Sequence, residues 1–193
     1  MTQIERKVGV FYATREGQTG RIAEHLADAL RAHGVAVDVH DVARLRAPLD
    51  WTGYSAVIVA ASVHRGHHEK EMLHFVREHR PQLERAKAAF VSVSLSERGV
   101  EDPKETPERR EQYAKDVQRM LDDFVAETGW RPAFVKPVAG ALMYSRYNLL
   151  IRFVMKRIAR QAGASTDTSR DHEFTDWAAL DVFVESLLQD AAS

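Results

Sequence analysis

The first apolar strand of the chain runs into Tyr12-Ala13-Thr14-Arg15-Glu16-Gly17-Gln18-Thr19, and an amphipathic helix follows at once. The first turn of a helix has backbone N–H groups without intrahelical partners, and the aligned peptide dipoles add partial positive charge there. Thr14 and Thr19 each offer a hydroxyl, while Gly17 permits a close approach of the backbone or a positive φ. The stretch therefore predicts a phosphate-binding loop. The alternative is an ordinary helix start, with Thr19 as the N-cap and Gly17 in a turn.

The spacing of this loop matches neither of the common nucleotide motifs. The sequence has no G-x-x-x-x-G-K loop and no G-x-G-x-x-G fingerprint. Since the loop also has no Lys and no second Gly, a single monophosphate is the better prediction for its ligand.

The composition limits the class of protein. The 193 residues fit one domain, here taken as 1–193, and the 45% hydrophobic and 28% charged content is typical of a globular protein. The net charge of −1 argues against a nucleic-acid partner, and the absence of Cys excludes disulfides and thiolate metal sites. Without a signal-peptide pattern at the start, or an apolar run of the roughly 20 residues that a spanning helix needs, we expect a cytoplasmic protein.

Short apolar runs alternate with helical patterns, which is typical of a parallel sheet covered on both faces. Four helices are predicted: one begins at the Thr19 cap, one covers Lys70–His79 and is stopped by Pro81, one begins at Thr106-Pro107, and one follows Thr175-Asp176. The charged stretch Glu97–Glu111 is predicted to be a mobile loop. The sequence thus predicts a doubly wound α/β fold, with ligands beyond the strand C-termini. The predicted strands are Val8–Ala13, Val35–Val39, Ala56–Ala61, Ala89–Val93 and Phe134–Ala141.

The segment 143–173 is much longer than a normal connection, and we predict a helical insertion there. Residues 145–161 read as a helix with an apolar arc and a cationic arc that no acidic residue balances. Leu149 and Phe153 fall among the cations, on the face that should be wet, which favours binding to an anionic membrane surface or ligand. The alternative is a surface helix with solvated Arg side chains. The residues predicted to contact substrate or membrane are Tyr144, Arg146, Tyr147, Leu149, Arg152, Phe153 and Lys156.

Two further loops follow the third and fourth predicted strands, and should meet the phosphate loop at one crevice. Gly66 in the first loop permits a close approach to a flat heteroaromatic ring. The three His residues of that loop lack the i, i+4 geometry on one helix face, and no nearby carboxylate beyond Glu69 completes a site, so no metal is expected. Ser94, Ser96 and His64 also lack the G-x-S-x-G context of a hydrolase. These loops contain Ser62, Val63, His64, Arg65, Gly66 and His67, and then Ser94, Leu95, Ser96 and Arg98.

Taken together, these motifs resemble those of flavodoxin-like proteins, with a T-x-x-G-x-T loop from Thr14 to Thr19 and two flanking loops. The resemblance is closer to one branch, the menaquinone-dependent protoporphyrinogen oxidases of haem biosynthesis, and it spans nearly the whole chain. The motifs that carry this closer resemblance are Ala61-Ser62 with Gly66-His67, Trp130-Arg131-Pro132, Ala139-Gly140-Ala141-Leu142, Tyr144 with Arg146-Tyr147, Thr166-Asp167-Thr168 and Thr175-Asp176-Trp177.

The resemblance implies a five-stranded sheet of order 2-1-3-4-5 and one FMN. Its phosphate would lie on Thr14, Arg15, Glu16, Gly17, Gln18 and Thr19, and its ring between the loops at Ser62–His67 and Ser94–Arg98. The implied reaction is oxidation of protoporphyrinogen IX to protoporphyrin IX, with electrons passed to a membrane quinone and the protein bound peripherally to the cytoplasmic face of the inner membrane. No general base is evident, and His64 and His67 are candidates for accepting a proton.

The loop from Ser62 to Met72 lacks the aromatic residue that flavodoxins often stack on the flavin, which leaves room for a relative with another substrate. The alternatives are an FMN electron-transfer or quinone-reducing protein, and a flavin-free scaffold that kept the fold. The sequence leaves the oligomeric state open, with a homo-oligomer among the options.

Overall fold

A central sheet of parallel strands organises the computed structural model, which describes residues 7–143 and 170–190. In chain order the strands of the described residues are β1 (Lys7–Ala13), β2 (Ala36–Asp41), β3 (Tyr54–His64), β4 (His67–His68), β5 (Lys87–Ser94), β6 (Phe134–Ala139), β7 (Ala141–Leu142) and β8 (His172–Glu173). The main sheet has the order β2-β1-β3-β5-β6, and β4 pairs antiparallel with the end of β3. Because the short β4 lies off this path, β5 and β6 are its fourth and fifth strands in chain order, and the predicted order 2-1-3-4-5 is confirmed.

The helices cover both faces of this sheet, which is why its strands are nearly continuous apolar runs. They are α1 (Gln18–Ala32), α2 (Lys70–Glu78), α3 (Arg80–Arg85), α4 (Leu95–Glu101), α5 (Pro107–Thr128) and α6 (Trp177–Asp190), with a 3-10 turn at Val42–Arg44. On one face, Leu26 of α1 and Leu180 of α6 pack in a core with Val10 and Val91. On the other, Met72 of α2 and Phe124 of α5 pack with Phe11 and Phe90.

The ends of the longest helix of the described residues follow the sequence signals. Thr106 is the N-cap of α5, where its hydroxyl oxygen accepts a hydrogen bond from the backbone N–H of Arg109 at 3.3 Å. Pro107 occupies the first helical position, and Gly129 ends the helix in the left-handed conformation with φ of 70°. The predicted start of this helix is confirmed.

Three predicted boundaries are wrong. Helix α1 begins at Gln18, and Gly17 takes the N-cap position with φ of 95°, so Thr19 lies inside the first turn. The predicted helix Lys70–His79 is confirmed as α2, but Pro81, predicted to stop it, lies in the first turn of α3, where a missing N–H costs no hydrogen bond. The first residues of the predicted loop Glu97–Glu111 lie in α4, which Ser94 caps by accepting a hydrogen bond from the N–H of Glu97 at 3.2 Å.

The last strand of the main sheet is shorter than the predicted Phe134–Ala141. Strand β6 ends at Ala139, and β7 leaves the sheet to pair antiparallel with β8. Gly140 makes this change of partner possible, because its N–H donates to the carbonyl of Ser94 and its carbonyl accepts from the N–H of Phe174. The chain before and after the predicted insertion is thereby held beside the carboxyl end of β5.

Most of the predicted insertion lies outside the described residues. This includes each residue predicted to contact substrate or membrane, namely Tyr144, Arg146, Tyr147, Leu149, Arg152, Phe153 and Lys156. Among the helices that the structure does describe, none has the length and apolarity needed to cross a membrane.

Candidate functional site

The carboxyl ends of β1, β3 and β5 surround a cavity of about 610 Å³. This volume lies within the range of small-molecule and cofactor sites, roughly 300–1,000 Å³. All three predicted loops contribute to its wall, and so do Gly140 and residues of α5. The lining residues are Thr14, Arg15, Glu16, Gln18, Thr19, Ser62, Val63, His64, Arg65, Gly66, Glu69, Val93, Ser94, Leu95, Ser96, Asp116, Arg119, Met120, Gly140 and Ala141.

The loop between β1 and α1 is shaped by its own side chains. The N–H of Gly17 donates to the hydroxyl oxygen of Thr14 at 2.9 Å, which closes a tight turn before the helix. The left-handed φ of Gly17 is one that glycine adopts without strain. No acidic residue stands in the first turn of α1 to neutralise its positive end. The loop therefore presents a preformed positive end to the cavity.

Thr19 gives the most direct sign of a ligand in this loop. Its side chain is fully buried, and its hydroxyl oxygen has no hydrogen-bond partner among the described residues. A buried hydroxyl left without a partner costs about 1–3 kcal/mol. The position beside the positive end of α1 makes an anion with acceptor oxygens the natural partner, and a phosphate meets that description.

Gln18 fixes the loop to the far edge of the sheet. Its buried amide nitrogen donates to the hydroxyl of Thr175 at 2.9 Å, and that hydroxyl donates to the carbonyl of Ala139 at 2.8 Å. Its amide oxygen accepts from Arg21 at 3.1 Å. Gln18 thus lines the cavity, but the hydrogen bonds of its side chain are structural.

An ion pair connects two walls of the cavity. Arg15 donates from Nε to Glu69 at 3.1 Å and from a terminal nitrogen at 2.9 Å, and Glu69 is only 6% exposed. These hydrogen bonds raise the pKa of the Arg15 guanidinium. Glu69 lies 54 positions away in the sequence, so nothing local predicts the pair. The Arg15 guanidinium is consequently engaged with Glu69.

The loop after β3 is a two-residue hairpin turn. Arg65 and Gly66 both have positive φ, 52° and 83°, between the paired residues His64 and His67. Positive φ at both central positions is the type I′ pattern whose twist suits a β-hairpin. A Cβ at Gly66 would meet no heavy atom within 4 Å, so the turn leaves open space on the cavity side.

The structure separates the three neighbouring His residues. His64 lines the cavity, and burial, followed by the charge of Arg15, lowers its pKa. His67 is exposed and does not line the cavity. His68 is buried on the other side of the hairpin and hydrogen-bonded to the Ser92 hydroxyl at 2.9 Å. Of the two predicted proton acceptors, only His64 is in the site. No cluster able to hold a metal ion occurs in ranges 7–143 and 170–190.

The loop after β5 is only partly brought to the cavity. Ser94, Leu95 and Ser96 line it, whereas Arg98 is directed elsewhere: it donates to Asp102 at 2.9 Å and lies over the ring of Phe174. The structure thus does not place Arg98 at the predicted ring site. Sequence reasoning missed the contributions of α5, which are Asp116, Arg119 and Met120, because only the tertiary packing turns this face of α5 toward the cavity.

Comparison with known proteins places this geometry in a family. The model of the flavodoxin domain family matches residues 9–169. The Escherichia coli K12 protein named protoporphyrinogen IX dehydrogenase (quinone) is 35% identical over 181 residues, which cover 94% of each chain. A Leishmania major protein of the same name is 30% identical over 175 residues, covering 89% of this chain and 70% of the relative.

Solved structures agree on the fold. Oxidised flavodoxin 1 of Bacillus cereus superposes with a TM-score of 0.50 at 16% identity, covering 95% of this chain and 97% of the flavodoxin. A flavodoxin from an archaeon also gives a TM-score of 0.50, at 13% identity, covering 97% and 99% of the two chains.

Proposed function

Because the chain belongs to the flavodoxin domain family, we propose that it binds FMN in the cavity at the carboxyl ends of β1, β3 and β5 and uses it to oxidise protoporphyrinogen IX, with a quinone as electron acceptor. The substrate and acceptor follow from the names of relatives that align over 94% of this chain. The observation that carries the cofactor is the buried hydroxyl of Thr19, which has no hydrogen-bond partner in the part of the chain that the structure describes.

The residues present fit FMN. Thr14, Gly17 and Thr19, with the positive end of α1, form a cradle for one phosphate. The wall that would bound the ring includes the Arg65-Gly66 turn and Leu95-Ser96. Its apolar surface comes from Val63, Val93, Leu95, Met120 and Ala141. The apolar part of this wall is thus aliphatic, and the loop from Ser62 to Met72 has no Phe, Tyr or Trp that would stack on the ring.

Bound FMN supplies hydride acceptance and electron transfer to the quinone. The chain supplies orientation and a place for the proton. The Arg15–Glu69 pair fixes the phosphate loop against the residue that follows the hairpin, so both walls keep one spacing. His64 lies in the same cavity, and its lowered pKa keeps the imidazole neutral near pH 7. A ring nitrogen of His64 can then accept the proton that the porphyrinogen loses with each hydride.

The experiment that tests this function is an anaerobic turnover assay with FMN-loaded protein, protoporphyrinogen IX and a soluble quinone. We expect protoporphyrin fluorescence to appear only when protein, FMN and quinone are all present. A flavodoxin-like electron carrier, which the fold also permits, would accept electrons from a reductase but would leave protoporphyrinogen unoxidised. That outcome would contradict the proposed reaction and favour the carrier.

We further propose that the protein acts at an anionic membrane surface on the cytoplasmic side. The support is the sequence of segment 145–161, whose cations have no acidic counterpart, together with the quinone in the relatives' names. Co-sedimentation with phosphatidylglycerol vesicles should exceed that with phosphatidylcholine vesicles, and Arg152→Glu, Lys156→Glu and Arg160→Glu should abolish the difference. Equal binding to both vesicles would refute the contact. A homo-oligomer stays a prediction, which analytical ultracentrifugation checks.

A further inference from the structure

Arg65 adopts a backbone conformation that its residue type does not favour. In the described part of the chain it is the one non-glycine residue with positive φ. The left-handed conformation costs an ordinary L-residue roughly 1–2 kcal/mol, and Asn, Asp and Gly are the usual residues at this position of a type I′ turn. The hairpin itself therefore gives no reason for an arginine here, and strain of this kind persists where a side chain serves a site.

The Arg65 side chain lines the cavity without a partner. It makes no hydrogen bond or ion pair with any residue that the structure describes, whereas the other two arginines of the wall are engaged. Arg15 is bound to Glu69, and Arg119 of α5 lies 3.5 Å from Asp116. The acidic residues of the wall are Glu16, Glu69 and Asp116. Glu69 is paired with Arg15 and Asp116 with Arg119, and Glu16 lies in the phosphate loop. Arg65 is thus an exposed cation on the cavity wall, and no carboxylate of the described residues forms an ion pair with it.

The cavity that Arg65 lines also has apolar walls. Leu95 is 37% exposed at the cavity, and Met120 of α5 lines the same wall. An apolar wall together with arginines suits a flat apolar molecule that carries carboxylates. The ring of such a molecule covers the apolar wall, while a guanidinium binds a carboxylate through paired N–H groups. A tetrapyrrole with propionate groups has this chemistry.

We propose that Arg65, assisted by Arg119, binds the propionate carboxylates of the tetrapyrrole and so selects for an acidic porphyrinogen; this rests on the proposed function. The backbone and the side chain of Arg65 have different roles in this arrangement. The backbone of the turn borders the space for the cofactor ring, and the guanidinium acts on the substrate. Arg65 is a specificity-determining residue and takes no part in electron transfer.

The test compares ligands that differ only in the carboxylates. Protoporphyrin IX and its dimethyl ester, in neutral detergent, are titrated into FMN-loaded protein, and binding is followed by porphyrin fluorescence. We expect the wild type to bind the diacid about tenfold more tightly than the ester, the difference expected from one charge-assisted contact. Arg65→Asn should reduce this preference to about twofold. Arg65→Lys should keep part of the wild-type preference, because it retains the charge but not the paired N–H groups.

The variants are chosen so that loss of folding does not imitate the result. Asn suits the left-handed turn better than Arg, so Arg65→Asn should unfold no more readily than the wild type. Arg46→Asn is the matched control, since Arg46 is an exposed loop arginine that does not line this cavity, and it should keep the full preference. Arg119→Gln should lose part of the preference.

Failure of this inference differs from failure of the function. If Arg65→Asn keeps the preference for the diacid, or the wild type shows none, the assignment of Arg65 is overturned, even though protoporphyrinogen still reduces the bound FMN. If protoporphyrinogen fails to reduce the FMN of the wild type, the proposed function itself is overturned.

Discussion

Arg15 and Glu69 form a two-point hydrogen-bonded ion pair, at 2.9 and 3.1 Å, across the mouth of the cavity. The pair is asymmetric, because the Glu69 side chain is 6% exposed and that of Arg15 is 53% exposed. It joins the loop after β1 to the residue that precedes α2, and Ser62 adds a longer hydrogen bond of 3.4 Å to the same carboxylate. These hydrogen bonds therefore link the two walls of the site directly.

This asymmetry predicts unequal effects of the two deletions. Arg15→Met should lower the free energy of unfolding by about 2 kcal/mol, since it leaves a buried carboxylate without its cation. Glu69→Gln should cost about 1 kcal/mol, because the guanidinium can turn to water and the new amide oxygen still accepts a hydrogen bond. Urea unfolding of the FMN-free protein checks the order, and a larger loss for Glu69→Gln would contradict it.

The two threonines of the phosphate loop should behave differently. Thr19→Val removes a buried hydroxyl that has no partner among the described residues, so the FMN-free protein should be at least as stable as the wild type. FMN affinity should fall about tenfold through loss of one charge-assisted hydrogen bond. Thr14→Val removes the acceptor of the Gly17 N–H and should cost about 1 kcal/mol of stability even without FMN. Flavin fluorescence titration and urea unfolding give the two readouts. Unchanged FMN affinity in Thr19→Val would show that the hydroxyl has another purpose.

His68 predicts a loss of stability in mild acid. Burial, and secondarily the charge of His67, lowers the pKa of His68 to about 4, and the ring packs against Phe90 and Phe124. Since the folded pKa lies below the unfolded value of 6.5, the unfolded chain binds the proton more readily. The contribution to stability is therefore full above about pH 6.5 and is lost as the pH falls toward 4, by up to about 1.4 kcal/mol per pH unit.

His68→Gln keeps a hydrogen-bonding side chain beside Ser92 but removes the titrating group. Its free energy of unfolding should change less between pH 7 and pH 5 than that of the wild type. His40, His64 and His79 also have pKa values lowered by burial, so part of the slope should remain. Identical slopes for both proteins would mean that His68 is not the main titrating group.

Gly99 should be intolerant of a side chain. A Cβ at this position of α4 would lie 2.3 Å from the ring of Tyr113 on α5. We expect Gly99→Ala to lower the unfolding free energy by about 1–3 kcal/mol, through overpacking between the two helices. Adding Tyr113→Leu should recover part of that loss in thermal unfolding experiments, and no recovery in the double variant would point to a backbone effect.

The parts of this structure that were predictable depend on neighbours in sequence. Thr14 and Gly17 form a turn within three residues, and Thr106-Pro107 caps a helix locally, so composition and spacing suffice. Glu69 and Met120 enter the site only through the packing of distant elements, and no local pattern marks them. Helix α4 was missed because its Ser94 cap stabilises a charged, Gly-containing segment that typically reads as a loop. Arg98 was assigned to the cavity by proximity in sequence, but α4 turns it toward Asp102.

The central claim is that this flavodoxin-domain protein uses FMN to oxidise protoporphyrinogen IX, and it is tested most directly by one measurement. FMN-loaded protein is mixed with protoporphyrinogen IX without oxygen or quinone, and the visible absorbance of the oxidised flavin is followed. We predict that this absorbance falls on mixing as the flavin takes up its one electron pair from the substrate, and that adding a quinone restores the absorbance and lets protoporphyrin accumulate. An unchanged flavin spectrum in the presence of excess protoporphyrinogen IX would contradict the claim.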